Sequence, residues 1–385
     1  MLQLIMTIIS DGIIGVLSTA LNRSPLYVQY YVTARCNLRC EQCNVIYANS
    51  DLSESSTLKT VEAIHNLGQI GTKVLLLTGG EPFVRSDIPI LVKEAIKNKI
   101  HPRLQTNGAA SKQKLIDCAE NGANDISISL DSLNPHNQDF INGQFINSWE
   151  SAISSIANIN ETFPSNSFCA LGCVFSPYNF MEVHKVIKFA TEIGWYVSLV
   201  PAHTTDSISP RSFSTFDSRL RFKPDEIPLA LDEIDKIIEM KKMGYKVYDS
   251  ITFLENMKKF IAGEKLDWRD RNGGKCDATK YYFAVLPDTQ FSICCDYRLE
   301  NKTVYVSDQD FPKIYKSGVL TEMAIDKLSS CSGCLYGSYP EITISARYIE
   351  SIIERIPEFL VPRQNNIKKL NFSDLIELSR KINNG

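Results

Sequence analysis

No sign of charge dominates this sequence. Lysine and arginine total 41 against 44 aspartates and glutamates, a net charge of −3. That leaves no basic footprint for a phosphate backbone, and a nucleic-acid partner is not expected. Internal repeats and low-complexity tracts are absent. So is a secretory signal, because the apolar N-terminal stretch carries no basic residues ahead of it. The eleven cysteines are an odd number, and high for a cytoplasmic chain. Without a secretory route they favour metal binding or catalysis over disulfides. With 44% hydrophobic and 22% charged residues the composition is that of an ordinary soluble protein. The 385 residues exceed one typical domain, although barrels often reach this length as one unit.

Met1 to Leu21 is mostly apolar, with Asp11 its one charged side chain. At 100° per residue Gln3, Thr7, Ser10, Asp11 and Ser18 share one face, with Ile14 among them, and aliphatic residues take the rest. The length would permit a membrane span, but the polar face argues for a helix that packs on the protein itself or lies on a membrane surface.

Cys36, Cys40 and Cys43 stand at the spacing C-x3-C-x2-C, directly after an apolar, strand-like run from Leu26 to Val32. Three thiolates are one short of a closed four-ligand site. Structural zinc wants that fourth ligand. A [4Fe–4S] cube held by three thiolates keeps one iron open for another molecule.

The triplet after a strand resembles the radical SAM superfamily. That resemblance implies a partial (β/α)6 barrel, open on one side. It implies that the open iron chelates S-adenosylmethionine, which one electron cleaves to a 5′-deoxyadenosyl radical that takes hydrogen from a substrate. The family usually has an aromatic residue just before the third cysteine, where this chain has Gln42.

From Leu26 to Pro201 the pattern alternates strand and helix in six βα-type units, which argues a parallel sheet with right-handed crossovers. Strands are expected at 26–32, 73–77, 102–104, 125–130, 168–175 and 196–200, and helices at 58–67, 87–97, 111–120, 149–159 and 181–193. Functional groups in such folds gather at the C-terminal strand ends. Gly79, Gly80 and Glu81 follow the second strand in Thr-Gly-Gly-Glu-Pro. Glycines let a ligand approach the backbone, and Pro82 favours an extended Glu81 whose carboxylate projects over the rim. The resemblance gives this motif the methionyl amino group of the cofactor. Asn107, Ser129 and Asp131 hold neighbouring rim positions suited to ribose hydroxyls and the cofactor carboxylate, with turn and cap roles as the plainer alternative. Ser176 and Asn179 are similar. Cys169 and Cys173 share one strand face and are either hydrogen donors to a substrate radical or small buried hydrophobes. His203 and Arg211 lie in a polar loop expected over the rim, within reach of substrate, although a lone histidine is more often structural.

A second cysteine set follows. Cys276, Cys294, Cys331 and Cys334, with a strand-like hairpin at 281–286 and 291–294, make a physically sensible cage for zinc or a [4Fe–4S] cluster. The spacing resembles the SPASM/twitch extension of radical SAM enzymes, in its shorter form with one auxiliary cluster. Thr289 stands where that pattern has glycine, and threonine disfavours positive φ. Cys295 is a spare thiol or a ligand in place of Cys294.

The fold expected is therefore α/β: a partial (β/α)6 TIM-like barrel with a C-terminal twitch/SPASM-like extension. Its parts are an amphipathic helix over 1–25, the barrel over 26–201, a helical linker over 202–264, the auxiliary domain over 265–340 and C-terminal helices over 341–385 that cover the open barrel or its end. The function implied is a radical SAM enzyme with one auxiliary cluster and an electron donor such as flavodoxin or ferredoxin. It would oxidise, couple or rearrange a small molecule, lipid or peptide in the cytoplasm, with 1–21 as a candidate membrane contact. A ribosomal-peptide maturase or epimerase is the second reading, disfavoured by the short segment before the first strand. A non-catalytic iron–sulfur or zinc protein is the third, and the Gly-Gly-Glu-Pro motif speaks against it.

Overall fold

A computed structural model of the chain describes residues 24–206, 213–272, 276–300, 302–347, 350–351, 353–354 and 367–384. The expected helix over 1–21 and Arg211 lie outside them. Six parallel strands form the core: β1 (Tyr27–Thr33), β2 (Val74–Gly79), β3 (His101–Thr106), β4 (Asp125–Ser129), β5 (Phe168–Phe175) and β6 (Tyr196–Pro201). Each pairs with its sequence neighbour, as βα crossovers require. The crossover helices are α1 (Thr57–Gln69), α2 (Ile88–Lys97), α3 (Lys112–Glu120), α4 (Pro135–Ile141), α5 (Ser148–Thr162) and α6 (Val183–Ile193). Ser56 and Ser111 cap α1 and α3 through their hydroxyls, each accepting the N–H three residues on. Gly194 ends α6 in the left-handed conformation at φ 83°.

The strands alternate in burial, and the alternation distinguishes two layers. Leu75, Leu77, Leu104, Ile126, Ile128, Leu171, Val197 and Leu199 are shut away in the apolar core. On the opposite face Gln29, Arg103, Gln105, Ser127, Ser129, Gly172, Val174 and Ser198 are half-buried. The inner face of this partial barrel therefore carries polar side chains among apolar ones such as Leu76, Ala170 and Val174, as a cavity wall does and a packed core does not. Arg103 lies there over the rings of Phe168 and Tyr248, 5.3 and 5.8 Å from their centroids. Cys169 and Cys173 share the buried face with Leu171 and Phe175, turned from the polar wall, which argues against hydrogen donation to a substrate inside the barrel.

The hairpin between the later cysteines does not stand apart. Its first strand, β7 (Tyr282–Val285), pairs in parallel with β1, and β8 (Phe291–Ser292) returns antiparallel to it. One sheet thus runs β6-β5-β4-β3-β2-β1-β7-β8, and the segment with the second cysteine set shares the barrel's hydrogen-bonded edge. Thr289 turns the hairpin at φ +73°. A β-branched residue is strained there. Burial, a hydroxyl bond to Ser307 Oγ (2.8 Å) and the Val306 N–H donated to its carbonyl (2.8 Å) hold it in place.

Helices α7 (Ile227–Lys242) and α8 (Ile251–Ile261) follow, then α9 (Phe311–Ser317), α10 (Ser338–Arg347) and α11 (Phe372–Asn384). The last of these corrects an expectation. Helix α11 does not cover the barrel opening but lies outside α5 and α6, tied to the Leu133 carbonyl by Ser379 Oγ and Asn383 Nδ2. Its apolar stripe matches the outer helix layer. Among the described residues no helix is long and apolar enough to cross a membrane.

Candidate functional site

The cysteine triplet lies in the loop after β1, and this loop is fixed by backbone contacts on two sides. Gly80 N–H donates to the Thr33 carbonyl (2.9 Å) and Glu81 N–H to the Arg35 carbonyl (2.8 Å). A Cβ on Gly79 or Gly80 would stand 2.3 Å from Thr33 O or Arg35 O, so side chains there would push the loop away. On the far side Glu41 N–H donates to Ile141 O (2.9 Å), and a Cβ on Gly143 would meet Arg39 O at 2.2 Å. The two glycines of the second motif therefore serve first to seat the cysteine loop against β2.

Salt links close the loop from outside. Arg35 forks onto Glu54 (3.0 and 2.9 Å), and Glu41 meets Arg219 at 2.9 Å. Below it the buried Arg85 guanidinium reaches Asp87 (2.6 Å), Val32 O (3.0 Å) and Ser55 O (3.1 Å). A buried charge so fully partnered holds three segments in one geometry. Nothing in the sequence announced Arg85, because its burial is set by segments far along the chain.

Glu81 is extended as Pro82 dictates, at φ −127° and ψ 109°, but its carboxylate turns inward, away from the rim. It accepts Thr106 Oγ1–H (2.9 Å), Asn107 N–H (2.7 Å) and Phe83 N–H (3.0 Å) and is wholly buried. Burial raises its pKa to about 7. The donors come from the end of β3, so proximity between strands redirected the side chain. Glu81→Ala is expected to leave Thr106 and Asn107 with buried unmet donors and to lower stability by about 3 kcal/mol, read as a fall in the thermal unfolding midpoint. An unchanged midpoint would return the carboxylate to a purely ligand-facing role.

Asn107 is drawn to the same loop. Its Nδ2 donates to Asn37 Oδ1 (2.9 Å) and stands 3.6 Å from Cys36 Sγ. Asp131 is buried, accepts the Val174 N–H (2.7 Å), and burial lifts its pKa to about 6 against hydrogen bonds that include Gln42. Ser129 ends β4 half-buried on the polar wall. Ser176 and Asn179 bond to each other (2.9 Å) and Asn179 to Asp131 O (2.9 Å), which makes them structural. Residues the sequence reading passed over also meet here. Asn142 Oδ1 accepts from the Cys40 thiol (3.4 Å), and Gln138 Oε1 accepts the Asp131 and Ser132 N–H groups (2.8 Å each).

His203 is structural, as a lone histidine more often is. It is buried, donates Nδ1–H to Pro201 O (2.8 Å), accepts the Leu335 N–H on Nε2 (3.0 Å) and stacks on Tyr336 at 3.8 Å. It thereby joins the end of β6 to the Cys331–Cys334 turn. Burial lowers its pKa from 6.5 to about 4. The neutral ring is the folded form, so its contribution is complete above 6.5 and is lost as the pH falls towards about 4. Hydrogen-exchange protection of the Leu335 amide is expected to fall over that interval. Protection that stays flat would show that the ring does not hold the turn.

The two cysteine sets share a local signature. Leu38 N–H points to Cys36 Sγ, Ala278 N–H to Cys276 Sγ and Gly333 N–H to Cys331 Sγ, each at 3.4 Å. Val45 and Tyr336 N–H groups serve Cys43 and Cys334 in the same way. Backbone donors two residues on are what thiolate sulfurs sharing a cluster's net negative charge need. Burial pushes the Cys43 and Cys276 thiols up to about 11, so an anionic sulfur there needs a cation beside it. Within the first set the Cys36 and Cys43 charges weigh on Cys40. Within the second, Cys294 weighs on Cys276, Cys331 and Cys334. All are free thiols. Among the described residues no three His, Cys, Asp or Glu side chains have single-ion geometry. Donor type and N–H pattern fit iron–sulfur clusters.

Comparison with known proteins bears on the first cysteine set. The Radical SAM superfamily model matches residues 30–190. "Molybdenum cofactor biosynthesis protein 1" of Dictyostelium discoideum is 32% identical over 240 residues, 60% of this chain and 35% of that protein. A "GTP 3',8-cyclase" of Paenarthrobacter nicotinovorans is 34% identical over 110 residues, 26% of this chain and 30% of that one. The chain thus spans about a third of the length of these relatives. The structure of "Native anSMEcpe with bound AdoMet and Kp18Cys peptide" superposes with a TM-score of 0.57 at 16% identity, covering 93% of this chain and 99% of that one, a likeness of fold.

Proposed function

We propose, from the premise that this chain is a radical SAM enzyme whose core domain spans residues 30–190, that it cleaves S-adenosylmethionine reductively and takes hydrogen from a polar substrate inside the barrel. The observation that carries this is the C-x3-C-x2-C loop seated by backbone hydrogen bonds against Gly80 and Glu81. Cys36, Cys40 and Cys43 would hold a [4Fe–4S] cluster. When bound, that group would supply the electron for reductive cleavage of the cofactor's sulfonium to a 5′-deoxyadenosyl radical.

The chain's own residues bind and orient. The half-buried Gly80, Asn107 and Ser129 line the cofactor's place. Glu81 and Asp131 act one step back, fixing Asn107 and the β4 end. The polar inner wall of Gln29, Arg103, Gln105, Ser127 and Ser198 favours a polar small molecule or peptide over a lipid. Cys276, Cys294, Cys331 and Cys334 would hold one auxiliary [4Fe–4S] cluster of twitch type, which would accept or relay an electron or ligate substrate. An external donor such as flavodoxin or ferredoxin would supply the first electron.

Anaerobic, reduced protein with S-adenosylmethionine is expected to release 5′-deoxyadenosine and methionine. Clusters fully loaded beside intact cofactor would favour an electron-transfer protein instead.

A further inference from the structure

We propose that Tyr282 is a positioning residue of the auxiliary cluster, donating its phenol O–H to the Cys276 sulfur and so raising that cluster's reduction potential. The inference rests on the reading that Cys276, Cys294, Cys331 and Cys334 hold a [4Fe–4S] group.

Tyr282 Oη lies 2.9 Å from Cys276 Sγ, and the residue is 1% exposed. In a free thiol either atom can donate. A sulfur bonded to iron carries no proton, so with the cluster in place only the phenol can donate. Its oxygen then accepts from the second neighbour, Thr343 Oγ1, at 3.4 Å. The chain of donors runs in one sense, Thr343 to Tyr282 to Cys276, and donors in series polarise one another.

Packing alone does not ask for a hydroxyl here. Tyr282 opens β7 opposite Tyr27 of β1. Its strand neighbour Phe283 packs against Phe291 and Tyr315, with centroids 5.0 and 5.4 Å away, so phenylalanine serves burial in this strand. A buried phenol has to find a partner. The partners of this one are the cage itself and α10, which packs over α8. Cys276 also accepts the Ala278 N–H at 3.4 Å, so two donors converge on one sulfur.

Reduction adds negative charge that the sulfurs share. Donors stabilise the reduced cluster more than the oxidised one and raise its potential, and the effect is strongest where water is excluded. Arg269, buried beside the Cys331 carbonyl to which its Nη1 donates, acts in the same direction through its charge.

The test is an EPR-monitored redox titration of anaerobically reconstituted full-length protein. The auxiliary signal is the one that survives Cys36, Cys40 and Cys43 all changed to alanine. Tyr282→Phe removes one oxygen and keeps the ring. It is expected to retain the auxiliary iron while the auxiliary wave moves to a more negative potential and the other wave stays. Thr343→Val is expected to move it the same way by less. An auxiliary wave unmoved in Tyr282→Phe overturns the proposal. Should Tyr282→Phe lose the auxiliary iron, Thr343→Val decides: a negative shift supports the proposal and no shift overturns it. Absence of auxiliary iron from the unmutated protein would instead overturn the cluster reading on which the proposal stands.

Discussion

Replacing Cys36, Cys40 and Cys43 together by alanine is expected to halve the iron of the reconstituted protein, from about eight to about four per chain, and to abolish 5′-deoxyadenosine formation. The structure separates this loss from unfolding. The loop is held by backbone groups at Thr33, Arg35 and Glu41 and by the Arg35–Glu54 and Glu41–Arg219 pairs, none of which uses a cysteine side chain. The three cysteines lie in the loop outside the apolar core, so truncating them opens no cavity there. The thermal midpoint of the iron-free form should therefore stay close to that of the iron-free parent, while cofactor cleavage disappears. Full iron content in the triple variant would refute the assignment of this loop. A large fall in the iron-free midpoint would mean that the sulfurs pack as well as ligate.

Much of this was legible in the residues. Strand Phe168–Phe175 falls where its pattern puts it, and helices Ile88–Lys97 and Lys112–Glu120 come within a residue of theirs, because period and length agree there and the flanking turns are clear. Helix Pro135–Ile141 was not seen. Its sequence, Pro-His-Asn-Gln-Asp-Phe-Ile, is mostly polar, so it shows no apolar period, although Asn134, which accepts the His136 N–H at 3.0 Å, and Pro135 mark its start. The short helices between Phe311 and Ser330 escaped for a similar reason, being too brief to show a period. At the site, the spacing of the cysteines and the Gly-Gly-Glu-Pro turn told which chemistry to expect. It did not tell which way Glu81 or His203 would face. Those directions depend on Thr106 and Asn107 for the first and on Leu335 and Tyr336 for the second, residues brought near only by the fold. Thr289 shows the same limit. A local rule asks for glycine at its φ, and a bond to Ser307 with complete burial overrides it.

The sharpest test of the second cysteine set is a pair of single substitutions. Cys294→Ala is expected to remove the auxiliary iron and to leave cofactor cleavage by the first cluster in place, whereas Cys295→Ala is expected to keep both. Strand alternation alone would have placed the two thiols on opposite faces, but β8 ends at Ser292, and a turn closed by Cys294 N–H to Tyr297 O (3.3 Å) carries them instead. The separation survives for a different reason. Cys294 is half-buried and its charge bears on Cys276, Cys331 and Cys334 alike. Cys295 is 7% exposed and bears on Tyr31 of β1 and on Tyr336; it also meets the Cys294 thiol and feels Cys334, so it flanks the cage on the β1 side. A cage built on four thiolates is also a cross-link, so its loss should loosen what it joins. Because β7 pairs with β1 from Tyr27↔Tyr282 to Tyr30↔Val285, the loosening should reach the barrel's edge and not stop inside the auxiliary segment. Hydrogen exchange of Cys294→Ala should therefore quicken first between 276 and 297 and next along the β1–β7 ladder, with β4 and β5 unchanged. Iron lost from Cys295→Ala and kept by Cys294→Ala would move the ligand by one residue. Iron kept by both would remove the hairpin from the cage.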